Sequence, residues 1–292
     1  MYTITMSELL SCPLCGGAFV LDHAMLRCSN GHSFDLAKEG YVNLLRKKVL
    51  GDTKEMVLAR RAFFDKGYYQ PVSDLLNQLL GESLSLPHLN PLCILDAGCG
   101  EGYYGGRLHE HLQTQGERVT SLGIDSSKDA IRMAAKRYSS SFFLVGDLKT
   151  PLPLRDGALD VMLNIFAPRN LAEYARVLSP AGLLLILIPG PTHIMQLRQT
   201  LQLLDIEENK EQHVIEQSSI YFELVTRRAL TYDLHLQHEE ITQLVMMTPN
   251  YWHLSDEIRA RMHSLDSLST TIDFVCLLFK AQPLISPSIY RL

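Results

Sequence analysis

Residues 93–102, with the sequence CILDAGCGEG, combine an apolar run, an acid and three glycines in a spacing that suits ligand binding. The apolar run ends at Asp96 and is followed at once by Gly98, Gly100 and Gly102. This order predicts a buried strand that turns sharply into a helix, because glycine adopts backbone conformations that other residues disfavour. A bound molecule can approach such a turn closely. The acid, and the absence of a following Gly-Lys-Ser/Thr, argue against a nucleoside triphosphate.

Two further acids follow the next two apolar runs of the chain. Asp125 ends residues 119–124, and Asp147 lies just beyond residues 142–145. In a parallel sheet such strand ends share one edge, so we expect the acids to line one pocket, with Asp125 accepting the ribose hydroxyls of an adenosine. A dinucleotide-binding domain is the alternative, but its turn reads Gly-x-Gly-x-x-Gly, whereas this one reads Gly-x-Gly-x-Gly.

The turn resembles motif I, acid-x-Gly-x-Gly-x-Gly, of the S-adenosylmethionine-dependent methyltransferases. In that family the glycines approach a cofactor that carries an amine and a carboxylate instead of a pyrophosphate. The resemblance implies that Asp96 and the turn bind S-adenosyl-L-methionine and that Asp147 lies near its adenine.

A second group of residues with chemical potential lies near the N-terminus. Cys12 and Cys15 stand two residues apart within the sequence CPLCGG, and Cys28 and His32 follow. Three thiolates and an imidazole at this spacing predict a zinc site, and because protein would fill all four positions, its role would be structural. The alternative is a set of buried free cysteines and a surface histidine. A short β-hairpin is expected between the two pairs, over residues 19–26.

The bulk composition is that of an ordinary globular protein. The chain has 292 residues, of which 46% are hydrophobic, enough for one full core and a smaller appendage. We find neither a secretory signal nor an apolar run of membrane-spanning length, and the cysteines do not form a secreted disulfide framework, so we expect a cytoplasmic protein without a membrane partner. The net charge of −5 disfavours nucleic acid, yet residues 36–69 carry eight basic and four acidic side chains. This local basicity permits RNA contact, although a solvated helix face fits it equally.

Alternating strand and helix patterns predict an α/β fold with a parallel, doubly wound sheet. The resemblance implies that this is a class I Rossmann-like methyltransferase sheet, with an N-terminal zinc ribbon and a helical linker. We expect a zinc-binding ribbon at 1–35, a helical linker at 36–88 and the methyltransferase domain at 89–292. The linker should hold helices at 56–64 and 72–86. Strands are expected at 92–96, 119–125, 142–145, 159–166 and 183–189, with helices at 102–114, 127–138, 170–178 and 193–204. A closing antiparallel pair is expected, from extended structure at 220–236 and a buried strand at 270–280, with a helix at 239–247.

The segments beyond the ribbon make the resemblance more specific. They read DLAKEGYVNLL (35–45), ARRAF (59–63), GYYQP (67–71), DAGCGEGYY (96–104), FAP (166–168), PGPTH (189–193) and MTPNYW (247–252). Together with the ribbon they resemble the 23S ribosomal RNA (guanine-N1)-methyltransferase family over nearly the whole chain. The resemblance implies a ribbon that recognises RNA, a homodimer with a cleft for RNA, and a target guanine in a domain II hairpin near the peptide exit tunnel.

Site residues follow from the same resemblance. It implies that zinc binds Cys12, Cys15, Cys28 and His32, and that the cofactor binds Tyr69, Asp96, Gly98, Gly100, Glu101, Asp125, Asp147 and His193. Phe166 is expected to stack on the target base, and His193 is the candidate proton acceptor. Without the resemblance, Tyr69 fits helix packing equally well, and His193 fits the start of a helix.

The predicted function is therefore methylation of guanine N1 in large-subunit rRNA. Two other classes remain open at this point. A methyltransferase for a small molecule such as a quinone precursor would explain the acidic net charge, but not the zinc ribbon and the basic linker. A non-catalytic RNA-binding protein would explain those two features, but not the intact glycine turn and its three acids.

Overall fold

The N-terminal segment forms a three-stranded antiparallel sheet in the computed structural model, which describes residues 6–47, 49–84, 88 and 90–282. A short helix, α1 (Met6–Leu9), precedes the strands β1 (Phe19–Asp22), β2 (Met25–Cys28) and β3 (Ser33–Asp35). β1 and β2 pair from Phe19 opposite Cys28 to Asp22 opposite Met25, which confirms the predicted hairpin.

An eight-stranded mixed sheet organises the remainder of the described chain. Its order is β10-β11-β9-β8-β5-β6-β7-β4. The strands from β9 to β4 in this order run parallel. β11 pairs antiparallel with β9, and β10 pairs antiparallel with β11. The strands are β4 (Val42–Asn43), β5 (Leu92–Ala97), β6 (Val119–Asp125), β7 (Phe142–Val145), β8 (Leu159–Ile165), β9 (Leu178–Pro189), β10 (Phe222–Gln237) and β11 (Ser267–Ala281).

Helices cover both faces of this sheet. They are α2 (Lys54–Asp65), α3 (Gln70–Ser83), α4 (Tyr103–Thr114), α5 (Lys128–Arg137), α6 (Leu171–Val177), α7 (Met195–Leu201), α8 (Lys210–Ser218), α9 (His238–Met246) and α10 (Asp256–His263), with a 3-10 turn at Pro249–His253. None of the helices within the described ranges has the length and apolar character needed to cross a membrane.

The central strands are mostly apolar, as expected of strands with both faces covered. Every residue of β5 is buried, and its side chains alternate between two cores: Leu92 and Ile94 enter one, Cys93 and Leu95 the other. Burial of each such aliphatic side chain contributes about 1.5–3 kcal/mol. The second core also contains Phe19 and Leu26 of the ribbon, so the small sheet packs on the large one.

The segment between ribbon and sheet contains a strand that the sequence did not predict. β4 pairs in parallel with β7, Val42 opposite Leu144 and Asn43 opposite Val145. The carboxyl end of β4 therefore reaches the same sheet edge as the three predicted acids. The chain then passes over this edge, where Ser127 Oγ donates to the carbonyl of Asp52 at 2.8 Å.

Most predicted elements are present, with shifted ends. β9 begins at Leu178 rather than at 183, immediately after α6, and β11 begins at Ser267. Helix α3 begins at Gln70 instead of Val72 and ends at Ser83; the predicted end, Leu86, lies outside the described residues. The closing antiparallel pair is confirmed, since β10 and β11 pair from Phe222 opposite Ala281 to Gln237 opposite Ser267.

Candidate cofactor and metal sites

The four predicted zinc ligands lie together at the tip of the ribbon. One donor atom from each of Cys12, Cys15, Cys28 and His32 falls within 4.8 Å of all the others. Cys15 Sγ lies 3.4 Å from Cys28 Sγ and 3.4 Å from His32 Nδ1, and Cys12 Sγ lies 3.6 Å from that nitrogen. Such separations surround a point about 2.0–2.3 Å from each atom, the bond lengths of tetrahedral zinc. The donor set therefore fits zinc.

The backbone around the cluster favours thiolate at Cys15. The backbone N–H of Gly17 and the side-chain amide of Asn30 lower the pKa of this thiol to about 6. Asn30 Nδ2 lies 3.3 Å from Cys15 Sγ, and the Asn30 backbone N–H donates to Cys28 Sγ at 3.4 Å. Because thiolates are the metal-binding form, these donors prepare the site for a cation.

The glycine turn between β5 and α4 has the conformation that the sequence predicts. Gly98, Gly100 and Gly102 have φ values of 87°, 54° and 87°. A Cβ on Gly98 would lie 2.3 Å from the Cβ of Ala167, and one on Gly100 would lie 3.0 Å from Arg60 Nη1. Glycine is thus required at both positions, because φ is positive and a side chain would collide with Ala167 or Arg60; we call this turn the cofactor cradle.

Asp96 and Asp125 are held by backbone amides at the cradle. Asp125 Oδ2 accepts from Gly100 N at 2.9 Å and its Oδ1 accepts from Ser127 N at 2.8 Å, which fixes the carboxylate beside the turn. Asp96 is buried and accepts from Gly105 N at 3.0 Å. Burial raises the pKa of Asp96 to about 7, although the Gly105 N–H acts in the opposite direction.

Asp147 and Glu101 occupy different surroundings. Asp147 lies half-buried in the turn after β7, where Oδ1 accepts from Lys149 N at 2.9 Å. Glu101 is only 1% exposed, and neither of its carboxyl oxygens has a hydrogen-bond partner among the described residues. Its closest cation is Arg137 Nη1 on α5, at 3.7 Å. Burial raises the pKa of Glu101 to about 7, against the effect of Arg137.

An aromatic cluster joins three predicted site residues that are far apart in sequence. The ring of Phe274, on β11, lies 5.2 Å from Tyr69, 4.9 Å from Phe166 and 4.4 Å from His193, measured between centroids. Tyr69 is buried at the start of α3, whereas Phe166 remains 44% exposed. Phe274 thus organises the wall of the site, although the sequence offered no signal for it beyond its place in a buried strand.

The loop after β8 presents Phe166 in an uncommon conformation. Its φ is 53°, in the left-handed region that bulky residues seldom adopt. The loop is fixed from below, because Asn164 Nδ2 donates to the Pro168 carbonyl and to the Tyr174 hydroxyl, both at 3.1 Å. A strained and exposed aromatic residue on a rigid base is typical of a functional site.

His193 is fixed by β11 beside the same Phe274 ring. The backbone N–H of Asp273 lies 3.4 Å from His193 Nδ1, which places Nδ1 as acceptor and leaves the proton on Nε2. Burial lowers the pKa of His193 to about 3. The Asp273 carboxylate accepts from Thr192 N at 3.0 Å and from Thr192 Oγ1 at 2.7 Å, so it holds the turn before His193. This arrangement favours a neutral ring that donates from Nε2 and disfavours a role as base.

Comparisons with known proteins agree with this geometry. The N-terminal zinc-ribbon model of RlmA matches residues 10–48, and a model described as a methyltransferase domain matches residues 94–182. A 23S rRNA (guanine(748)-N(1))-methyltransferase from Streptomyces fradiae is 38% identical over 262 residues, which cover 89% of this chain and 91% of the relative. The chain belongs to the 23S rRNA (guanine-N1)-methyltransferase family.

Two further relatives place the family among related enzymes. A protein from Micromonospora griseorubida, provisionally assigned the same activity, is 35% identical and covers 84% of this chain and 87% of its own. The malonyl-[acyl-carrier protein] O-methyltransferase of Serratia marcescens is 29% identical and covers 68% of this chain and 70% of its own. The fold is therefore that of an S-adenosylmethionine-dependent methyltransferase, with a zinc ribbon on its N-terminal side.

The predicted residues of this family member fall into two groups, and three contributors were missed. The zinc ligands form one group, and the glycine turn with its acids and aromatic wall forms the other. Sequence reasoning did not find Arg60, Phe274 or Asp273. Arg60 lies in the motif ARRAF and was noticeable only as a basic residue, whereas Asp273 could have been noticed as an acid inside the apolar run 272–279.

Proposed function

We propose that the protein methylates N1 of a guanine in a hairpin of large-subunit (23S) ribosomal RNA, with S-adenosylmethionine as methyl donor. The observation that carries the proposal is the position of Phe166. Its ring is exposed. It lies next to the cofactor cradle because the following residue, Ala167, packs against Gly98. A target base stacked on Phe166 would therefore lie beside the cofactor turn.

The chemistry explains why such a surface is needed. When bound, the cofactor supplies a methyl group on an already activated sulfonium, so the protein's main contribution is alignment. Guanine N1 lies on the Watson–Crick edge and carries a proton at neutral pH. The base must therefore leave its helix, and a stacking surface holds it once it is unpaired.

The remaining residues divide the work of binding. The cradle formed by Gly98 and Gly100 accommodates the methionine part of the cofactor, and Asp125 accepts its ribose hydroxyls, with Asp147 near the adenine. Asp96 holds the start of α4 through Gly105 N, whereas Glu101, whose buried carboxyl oxygens have no hydrogen-bond partner among the described residues, lines the methionine part of the cofactor. We revise the role of His193, because its Nδ1 accepts from Asp273 N and its neutral form prevails. His193 donates a hydrogen bond from Nε2 and does not take the guanine proton.

RNA binds along the rim formed by the segment after β4. Parallel pairing of β4 with β7 brings residues 44–47 and 49–50 to the edge that carries the cofactor cradle. Arg46 and Lys47 are exposed there, and Leu50 is 83% exposed. Cations at the rim attract phosphates, which offsets the acidic net charge of the chain.

The finer identity of the target comes from the relatives. The Streptomyces fradiae protein is named for guanine 748, and we propose the equivalent guanine as the target here. A homodimer and a cytoplasmic location remain predictions from the sequence. The mass of the purified protein by light scattering tests the homodimer, and a mass equal to a single chain of 33.0 kDa would contradict it.

Incubation of the protein with unmodified large-subunit RNA and labelled methyl donor tests the function. We expect label in RNA and a primer-extension stop at one guanine, because N1 methylation blocks base pairing. Label in small molecules alone would favour the quinone-type alternative, and cofactor binding without any transfer would favour a non-catalytic RNA-binding protein.

The same assay tests the rim. We expect the double variant Arg46→Ala/Lys47→Ala to bind RNA more weakly and to reduce the slope of log affinity against log salt by about 1–2. Arg259→Ala removes one exposed cation on α10 and serves as control. Equal effects from the two variants would mean that general charge, and not the rim, determines binding.

A further inference from the structure

Arg60, on helix α2, reaches across the linker to the glycine turn. Its Nη1 lies 3.0 Å from the position that a Cβ on Gly100 would occupy, so the guanidinium rests on the floor of the cofactor cradle. Its Nη2 donates to the carboxylate of Asp52 and, at 3.1 Å, to the backbone carbonyl of Met247. The side chain is 20% exposed.

The hydrogen-bonding pattern leaves one side of this guanidinium available. Both bonds of Arg60 use Nη2, and Nη1 has no hydrogen-bond partner within the described ranges. The neighbouring cations are engaged elsewhere: Arg61 Nε lies 3.7 Å from Asp65, and Arg137 Nη1 lies 2.8 Å from the same residue. Of these three arginines, Arg60 is therefore the one that faces the cradle.

The charge of the cradle makes such a cation necessary. Asp96 and Asp125 flank the turn, and Asp147 follows the next strand. The methyl donor carries an α-carboxylate, which these carboxylates would repel in a poorly solvated cleft. A guanidinium next to the turn compensates this repulsion, and the N–H groups of its Nη1 can donate to the carboxylate.

We propose that Arg60 binds the α-carboxylate of the methionine part of S-adenosylmethionine. This inference rests on the proposed function, in that it assumes the same cofactor cradle. Asp52 and Met247 hold the guanidinium in place before the ligand arrives, so little side-chain freedom is lost on binding. The cofactor site then includes the linker and the C-terminal third of the chain as well as the glycine turn.

Calorimetry with two ligands tests the assignment. S-adenosylhomocysteine carries the α-carboxylate, whereas methylthioadenosine keeps the adenosine and sulfur but lacks the amino-acid end. We expect Arg60→Ala to weaken binding of S-adenosylhomocysteine by about 10- to 100-fold, the usual cost of a lost charged hydrogen bond. Affinity for methylthioadenosine should change by less than about 2-fold, within ordinary surface-mutation effects. Arg60→Lys keeps the charge without the planar fork and should lie between.

Arg61→Ala is the matched control, since it removes the adjacent arginine, whose partner is Asp65. It should leave both affinities unchanged. Equal losses for the two ligands in Arg60→Ala would assign Arg60 to folding of the linker and overturn the proposal, as would unchanged binding of S-adenosylhomocysteine. Failure of the proposed function itself is recognised separately: the unmodified protein would bind S-adenosylhomocysteine but transfer no methyl group to RNA.

Discussion

The zinc cluster and the cofactor cradle are built in opposite ways. The four zinc ligands come from residues 12–32, and a few turns with local hydrogen bonds bring them within 4.8 Å of one another. The cradle is assembled from α2, α3 and the carboxyl ends of β5, β6, β7, β8 and β9, with Phe274 of the last strand at its wall. One site is local in sequence and the other is distributed.

This difference determines what each site depends on. The ribbon has few apolar residues of its own, so its ligand geometry requires the metal, while its buried Phe19 and Leu26 rely on the large sheet. The cradle requires no ion, because strand pairing and two cores already fix the backbone. Loss of zinc should therefore damage the ribbon first, and substitutions in the cradle should damage cofactor binding first.

Removal of one zinc ligand should have the largest effect. We expect Cys28→Ser to lose the bound zinc and to lose amide-exchange protection over residues 12–35, because structural zinc contributes about 10–16 kcal/mol to such modules. Elemental analysis measures the metal, and hydrogen exchange locates the unfolding. S-adenosylhomocysteine should still bind, since the cradle is built by other elements.

Cys276→Ser is the control for this experiment. Cys276 is a buried free cysteine in β11, remote from the zinc ligands, and its replacement should leave the zinc content at that of the unmodified protein. If Cys28→Ser abolished cofactor binding as well, the two sites would form one cooperative unit, and the contrast drawn above would fail.

A side chain added to the glycine turn should impair the cradle and leave the zinc site intact. Gly98→Ala would place a Cβ 2.3 Å from Ala167, at a φ of 87°. We expect cofactor affinity to fall by about 100-fold or more, since the clash displaces the loop that carries Phe166 (about 1.4 kcal/mol per tenfold). Zinc content should be unchanged.

Gly116→Ala is the control that distinguishes the effect of backbone strain from the effect of this clash. Gly116 has a similar φ of 85°, but a Cβ there meets no atom within 4 Å. It should cost about 1–2 kcal/mol of stability without changing cofactor affinity. Equal affinity losses from the two variants would mean that backbone strain alone explains the Gly98 result.

The buried acid of the cradle gives the next largest effect, and it depends on pH. Because burial raises the pKa of Glu101 from 4.5 to about 7, the folded protein favours the protonated form. Glu101 contributes its full stabilisation of the folded state below pH 4.5, and this contribution is lost as the pH rises through 7. Glu101→Gln should thus be more stable than the unmodified protein at pH 8, by up to about 3 kcal/mol.

Denaturant titrations of the cofactor-free protein at pH 6 and pH 8 measure this dependence. The advantage of Glu101→Gln should shrink at the lower pH, whereas Glu208→Gln, which replaces an exposed glutamate, should show no difference at either pH. An advantage of the same size at both pH values would mean that packing, and not ionisation, distinguishes the amide.

Sequence reasoning succeeded where the signal was local. The hairpin, the glycine turn and the acids after β6 and β7 follow from short patterns that neighbouring residues determine. It missed β4, whose two residues form a strand only because β7 pairs with them. It also missed Phe274 and Asp273, since a continuous apolar strand predicts burial but does not reveal which loop a side chain will face.

Asp273 provides the last and smallest test, on a residue that only the three-dimensional structure identifies. Asp273→Ala removes the acceptor for Thr192 N and Thr192 Oγ1 and should cost about 2 kcal/mol, the usual penalty for donors left without a partner in a buried site. The turn before His193 would loosen, so S-adenosylhomocysteine should also bind more weakly. Asp233→Ala removes an exposed carboxylate from the adjacent strand, where it accepts from Thr271, and should cost less than about 0.5 kcal/mol. A loss of stability with unchanged affinity would mean that Asp273 and its turn do not contribute to cofactor binding. The distributed site would then consist of the glycine turn and the acids beside it.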